Sequence, residues 1–379
     1  MLKIKYFISL AIFLLTFTVL FGQKTIDKTI KHGGLTRSYR LYIPKKYDGS
    51  KAVPLLFNLH GFTSNNVQQE FYGDFRPISD TAGFIICHPL GTTTNTGQTF
   101  WNVGFFPSPI DDIGFITSLI DTISTTYKIN QKKVFSTGMS NGGFMSYYLA
   151  CSTSRFAAVA SVTGSFTDLM YKTCKPTHPT PIMEIHGTAD GTVPYNGMTN
   201  FQPIDTVLKF WVKYNNCNPA VVNNVPENPA FPNDGASAVH YVFSGGKNGS
   251  TVEHFKIVNG AHTWPGAGIA IGVTCMDINA SKEIWRFFSK YSLTTAVENV
   301  ESDILFSLYP NPADDNLLIK TDGNENYGIE IIDLQGKIVL KSATNNEQKK
   351  LDVQALPKGL YVARLISAKG QLNRKFVKN

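Results

Sequence analysis

Residues 138–142 read Gly-Met-Ser-Asn-Gly, and Gly143 follows. This G-x-S-x-G pattern constrains the fold more than any other stretch of the chain. It lies between a β-prone run at 133–137 and a helix-prone run at 142–151. A chain that leaves a strand, turns sharply and enters a helix there holds Ser140 at the tip in a strained conformation. Side chains two positions before and after the tip would clash, so small residues are required. The helix N-terminus behind the serine favours developing negative charge. A plain structural turn is the competing reading, and the motif alone does not decide between the two.

Context narrows the choice. A serine hydroxyl is a weak nucleophile near neutral pH and needs a base, which in turn needs a partner that sets its tautomer. Behind a turn of this kind the chain order is serine, acid, histidine. Asp190 follows the run Pro181-Ile182-Met183-Glu184-Ile185-His186-Gly187, which places it on a loop just past a strand. His262 lies in Gly260-Ala261-His262-Thr263-Trp264-Pro265-Gly266, after the strand-like 255–258. His60 and His186 each precede a glycine at a strand end and read as framework beside the site. His240 and His254 fall in strand-like runs, Asp277 follows His262 out of order, and Asp121 falls within a predicted helix. Asp111-Asp112 read as that helix's cap. The oxyanion donors are expected to be the backbone N–H groups of Asn141 and Phe62, each worth roughly 3 kcal/mol of barrier. Trp101 and Trp264 are expected as substrate walls, with core packing as the alternative. No H-E-x-x-H, P-loop or complete G-x-G-x-x-G occurs, so no metal or cofactor is expected.

Strands and helices alternate over about residues 36–291, which implies a mainly parallel sheet covered on both faces. Short strands without helices follow, at 316–320, 329–332, 337–340 and 360–366, and suggest a small all-β sandwich. The organisation read is a signal peptide at 1–22, a catalytic domain at 23–292, a linker at 293–304 and the β-domain at 305–379. Lys3 and Lys5 precede an apolar run at 8–21, too short to span a bilayer, so export is expected and no stable membrane span. The net charge of +7 is scattered in single residues and pairs, with no basic stripe, so a nucleic-acid partner is not expected. There are five cysteines, an odd number, which leaves at least one unpaired within the chain. Cys87 sits in an apolar run and reads as a buried free thiol. The insert at 221–238, rich in Asn and Pro, is expected near the pocket.

Four motifs now stand in order: Leu59-His60-Gly61-Phe62, Gly138-Met139-Ser140-Asn141-Gly142-Gly143, His186-Gly187-Thr188-Ala189-Asp190, and His262-Thr263-Trp264-Pro265-Gly266. Together they resemble the polyhydroxybutyrate-depolymerase and feruloyl-esterase group of α/β-hydrolases, over residues 30–292. The resemblance implies an α/β-hydrolase fold and a secreted serine ester hydrolase without cofactor. Its substrates would be polyesters, synthetic aromatic ones included, or small esters; the alternative is acyl groups on plant polysaccharide. It also implies a Cys151–Cys174 bridge, and leaves Cys275 as a speculative partner for Cys217. A serine peptidase of the same fold, and a binding protein on an esterase frame, are the rival classes. Tyr309-Pro310-Asn311-Pro312, residues 356–362 and the basic end at 374–376 resemble the C-terminal sorting domain of Bacteroidota type IX secretion. That resemblance implies the secretion machinery as a partner and an extracellular or cell-surface location.

Overall fold

The computed structural model describes residues 24–293, 306–321, 326–333, 337–367 and 370–379. The expected signal peptide and all of the expected linker except Leu293 lie outside these residues. The chain divides into two compact units, one up to residue 294 and one beyond it.

The larger unit opens with a hairpin, β1 (Lys24–His32) and β2 (Leu35–Ile43), then β3 (Val53–Leu59), α1 (Asn66–Tyr72), α2 (Arg76–Ala82) and β4 (Ile85–Pro89). A two-stranded ribbon, β5 (Thr92–Thr93) and β6 (Thr99–Phe100), precedes α3 (Asp112–Ser124), β7 (Ile129–Met139) and α4 (Asn141–Ser152). There follow β8 (Ala158–Val162), α5 (Asp168–Thr173), β9 (Ile182–Gly187), α6 (Ile204–Asn215), β10 (Val221–Asn224), β11 (Ser237–Phe243), β12 (Val252–Val258) and α7 (Ala280–Phe288). Ten strands form one sheet in the order β1-β2-β4-β3-β7-β8-β9-β12-β11-β10. The centre, from β4 to β12, is parallel, and the added strands at each edge are antiparallel.

The local causes are plain. The central strands β4, β8 and β9 are buried along their whole length, as parallel strands covered on both faces must be. In α3, Phe115, Ile116, Leu119, Ile120 and Ile123 form one apolar stripe, and Asp111 caps the helix by accepting from the Gly114 N–H at 2.8 Å. Asp112 has a different part: it is buried against Arg37 at 2.6 Å and accepts from the Asn102 N–H. The sheet and its helices position the site in one way. Phe62, Ser140, Asp190 and His262 all follow the C-terminal ends of parallel strands β3, β7, β9 and β12, where ligands gather in sheets of this kind.

Cys151, near the end of α4, is bonded to Cys174, just past α5. Cys87 is a buried free thiol, as expected. Cys217 and Cys275 are both free, so the speculative pairing of these two is corrected: Cys275 is wholly buried and Cys217 faces the Ser250 carbonyl at 3.9 Å. Among the described residues no helix is long and apolar enough to cross a membrane.

The smaller unit is all β. A three-stranded sheet of β13 (Ser307–Tyr309), β14 (Asn316–Lys320) and β17 (Gln348–Asp352) and a four-stranded sheet of β15 (Tyr327–Ile332), β16 (Ile338–Thr344), β18 (Gly359–Ser367) and β19 (Gly370–Lys378) are antiparallel throughout. Leu317, Ile319 and Leu351 from the first meet Ile329, Ile331, Leu365 and Phe376 from the second in one core. This is the two-sheet arrangement expected from the tail.

Candidate active site

Ser140 stands between β7 and α4 with φ 55° and ψ −121°. A non-glycine residue held there is strained and persists only where its surroundings enforce it. The enforcement is steric and polar. A Cβ on Gly138 would lie 2.6 Å from the Leu59 carbonyl oxygen, and one on Gly142 would run into the same carbonyl. The Ser140 N–H donates to the Val162 carbonyl at 2.8 Å.

His262 and Ser140 line the same cleft, of about 580 Å³. Asp190 is buried, and its Oδ2 lies 2.7 Å from His262 Nδ1. Its Oδ1 accepts from the N–H groups of Thr192 and Val193, each at 2.8 Å. Burial acts to raise the Asp190 pKa, but the bonds from His186 and His262 hold it well below the usual carboxylate range. An ionised carboxylate only accepts, so His262 Nδ1 carries a proton, and it is Nε2 that bears the lone pair in the neutral form of the ring.

Of the two residues expected to supply oxyanion donors, Phe62 lines the cleft with Ser140, and Asn141 follows Ser140 in the chain. His60 Nδ1 lies 2.7 Å from the Gly61 carbonyl, and its Nε2 accepts from the Gly91 N–H at 2.9 Å. Burial pushes the His60 pKa down to about 4, so the ring is neutral with its proton on Nδ1. A trans peptide points its N–H away from its C=O. Anchoring the Gly61 carbonyl therefore aims the Phe62 N–H in the opposite direction. The Asn141 N–H lies in the first turn of α4, where helix amides have no intrahelical acceptor.

Trp101 and Trp264 overturn the expectation that they wall the substrate. They are 0% and 1% exposed. Trp101 donates its Nε1–H to the His60 carbonyl at 2.9 Å, and its backbone N–H and C=O are both held by the Asn141 side chain, at 2.7 and 3.1 Å. It thus ties the Phe62 loop to the start of α4. Trp264 packs edge-on against Phe75 and donates to Ser281 Oγ at 3.2 Å. A tryptophan beside a motif can brace it as readily as it can face solvent, and burial decides for bracing here.

The walls come instead from residues that sequence reasoning passed over. Val67, Phe71 and Tyr72 of α1, together with Ile269 and Ile271, line the cleft with Phe62. Val67 and Phe71 are four apart, a usable signal of one apolar helix face. The insert at 221–238 contributes no lining residue; it backs the loop carrying Ile269 and Ile271, through Asn228 to Met276 and Asp277.

The chain is similar in sequence and in fold to known esterases. A phospholipase/carboxylesterase family model matches residues 110–218, and a secretion system C-terminal sorting domain matches residues 307–379. Feruloyl esterase B of Piromyces equi is 31% identical over 199 residues, 49% of this chain and 37% of that protein. The bifunctional acetylxylan esterase/xylanase XynS20E of Neocallimastix patriciarum is 24% identical over 71% of this chain and 36% of its own length. The chain thus spans little more than a third of either. A probable feruloyl esterase C of Aspergillus clavatus is 29% identical over 66% of this chain and 83% of its own. The acetyl xylan esterase structure from Aspergillus awamori superposes with a TM-score of 0.52 at 14% identity, over 70% of this chain and 99% of that one. The larger unit has the α/β-hydrolase fold, and its sequence resembles feruloyl and acetylxylan esterases.

Proposed function

We propose that the chain is an extracellular serine carboxylic-ester hydrolase that works through an acyl-enzyme. Ser140 Oγ attacks the ester carbonyl while His262 Nε2 takes its proton. The tetrahedral oxyanion accepts from the N–H groups of Phe62 and Asn141. Collapse expels the alcohol, which receives the proton from His262. Water then attacks the acyl group by the same route in reverse, and Asp190 holds the His262 tautomer throughout. The observation that carries this reading is the shared cleft: a strained serine at a strand-to-helix tip and a histidine whose Nδ1 is fixed by a buried carboxylate.

The apolar lining of Phe62, Val67, Phe71, Ile269 and Ile271 favours an apolar or aromatic acyl group and supports polyesters and small esters as substrates. The second reading is a feruloyl or acetyl-xylan esterase, favoured by the names of the relatives. In this proposal residues 1–22 direct export, 293–304 are a linker, and the tail engages the type IX machinery, which its match to a sorting domain supports.

The test is hydrolysis of a short-chain p-nitrophenyl ester, a feruloyl ester and a polyester film by the native chain and by Ser140→Ala. The expected result is hydrolysis that falls by about 10⁴-fold or more in the variant. The ratio among the three substrates then selects the class. A folded native protein inert to all three sinks the esterase reading.

A further inference from the structure

Behind Asp190 and His262 lies a second row of hydrogen-bonded side chains that the reaction scheme does not use. Tyr147, on the helix that begins at Ser140, donates its hydroxyl to Glu184 Oε2 at 2.7 Å. Glu184 Oε1 lies 2.8 Å from His186 Nδ1. His186 Nε2 lies 2.8 Å from the Val193 carbonyl oxygen and 3.4 Å from Asp190 Oδ2, the oxygen that faces His262. Tyr147, Glu184 and His186 are each wholly buried. A continuous path therefore runs from Ser140 through α4, Tyr147, Glu184, His186 and Asp190 to His262.

The path fixes protons as well as positions. A carbonyl oxygen only accepts, so His186 Nε2 carries a proton toward Val193. Nδ1 faces a carboxylate oxygen whose partner oxygen already accepts from Tyr147. An imidazolium satisfies both contacts at once and sits between Glu184, whose other partner is the neutral Tyr147 hydroxyl, and Asp190, which also faces His262. An ionised Glu184 left without a cation in that dry interior would be strongly destabilising. Burial works against charge on both partners, raising the Glu184 pKa and opposing the cation on His186, but the bonds to Asp190 and Glu184 raise the His186 pKa to about 9.

The other groups around His186 do not supply this charge. Tyr195 meets its ring edge-on at 5.9 Å. His254, on β12, lies 2.9 Å from the Tyr195 hydroxyl and is pushed down to about 3, chiefly by burial. Lys256, opposite His186 in the ladder, places its nitrogen over the Tyr195 ring. Asp205 is engaged by the Tyr195 hydroxyl, and Tyr241 stacks on His254. Among the described residues only Glu184 and Asp190 bring a carboxylate within 4.0 Å of the His186 ring.

We propose that His186 is a buried imidazolium bridging Glu184 and Asp190, and that it acts as a positioning residue by sharing the Asp190 oxygen that His262 uses. The proposal rests on the esterase reading of Ser140, Asp190 and His262. Glu184, His186 and Asp190 then carry one net negative charge, which the imidazolium formed on His262 during catalysis neutralises. With a neutral His186 they would carry two, and His262 would hold its proton to higher pH.

Glu184→Gln tests this with little change of shape. With its oxygen toward Tyr147 the amide accepts from that hydroxyl and donates an N–H to His186 Nδ1, which must then be unprotonated; turned over, it would set an N–H against the Tyr147 hydroxyl and take away that hydroxyl's acceptor. His186 becomes neutral, and every polar atom keeps a partner. Two readouts follow. Histidine ring ¹⁵N NMR at pH 8, assigned with His186→Gln, is expected to show the imidazolium pattern for His186 in the native chain and the neutral pattern in Glu184→Gln. The acid limb of kcat/KM against pH is expected to move up by about half a pH unit or more in the variant, because the cation lost is nearer His262 than the anion lost. A neutral His186 in the native chain at pH 8, or an unmoved limb in a variant that has lost the imidazolium, overturns the proposal. If the native chain hydrolyses no ester, the esterase reading falls, while the NMR arm still decides the proton.

Discussion

Asp190 accepts two backbone N–H groups through one oxygen and faces two histidines with the other. Asn141 and His60 are each held at both ends of their side chains. The apolar walls of the same cleft are held far less. Phe71 is 60% exposed, Ile269 68% and Ile271 59%, and the Arg76 guanidinium lies 4.6 Å from the Phe71 ring. The difference separates two jobs. A group that moves a proton needs one geometry, and hydrogen bonds in a dry setting supply it. A group that only excludes water from an ester needs area, and loose exposed side chains supply that.

On the proposed mechanism, the largest loss after that of Ser140→Ala is expected from Asp190→Asn. The asparagine oxygen can still accept from Thr192 and Val193, but its amide donates toward His262 Nδ1 and drives the proton to Nε2. The lone pair needed at Ser140 is lost, and kcat is expected to fall by roughly 10³–10⁴-fold while folding is retained. Steady-state kinetics beside a urea unfolding curve measure both. A loss under tenfold would mean that Asp190 holds the loop rather than the tautomer.

A smaller effect sharpens the boundary between the two kinds of residue. Trp101→Phe removes the donor to the buried His60 carbonyl, which costs about 1–3 kcal/mol of stability. The unfolding midpoint is expected to drop, and kcat to fall modestly as the Phe62 loop loosens, with KM unchanged. A raised KM for aromatic esters at unchanged stability would return Trp101 to the substrate wall.

The same contrast explains what could be read from the chain beforehand. That Ser140, Asp190 and His262 would be brought to one cleft was legible because a strained turn, a loop acid and a loop histidine come in a set order. The parallel core was legible because buried strands such as 158–162 are apolar almost throughout. Glu184 in the buried strand 182–187 was itself a signal, since a carboxylate in a buried run requires a partner, and it was passed over. The antiparallel edge strands β1 and β10 escaped notice because one-sided, exposed strands carry weak patterns: all four residues of β10 are exposed. Trp101 was misread because its chemistry suits both a wall and a brace, and only the contact to His60 separates them. Ile269 and Ile271 had no period to mark them, since a glycine-rich loop places side chains by its own turns.

The smallest expected effect tests the loose side of the cleft directly. Phe71→Ala removes an exposed ring that touches little of the protein, so stability is expected to change by no more than about 0.5 kcal/mol. It removes contact that ground state and transition state would share, so KM for an aromatic ester is expected to rise roughly threefold to tenfold while kcat stays within about twofold. An acetyl ester, which has no ring to set against Phe71, serves as the internal control and is expected to keep its KM. If kcat falls instead and both esters suffer alike, Phe71 is orienting the reacting groups. The walls would then belong with Asp190 and His60 as fixed parts of the machinery rather than as area.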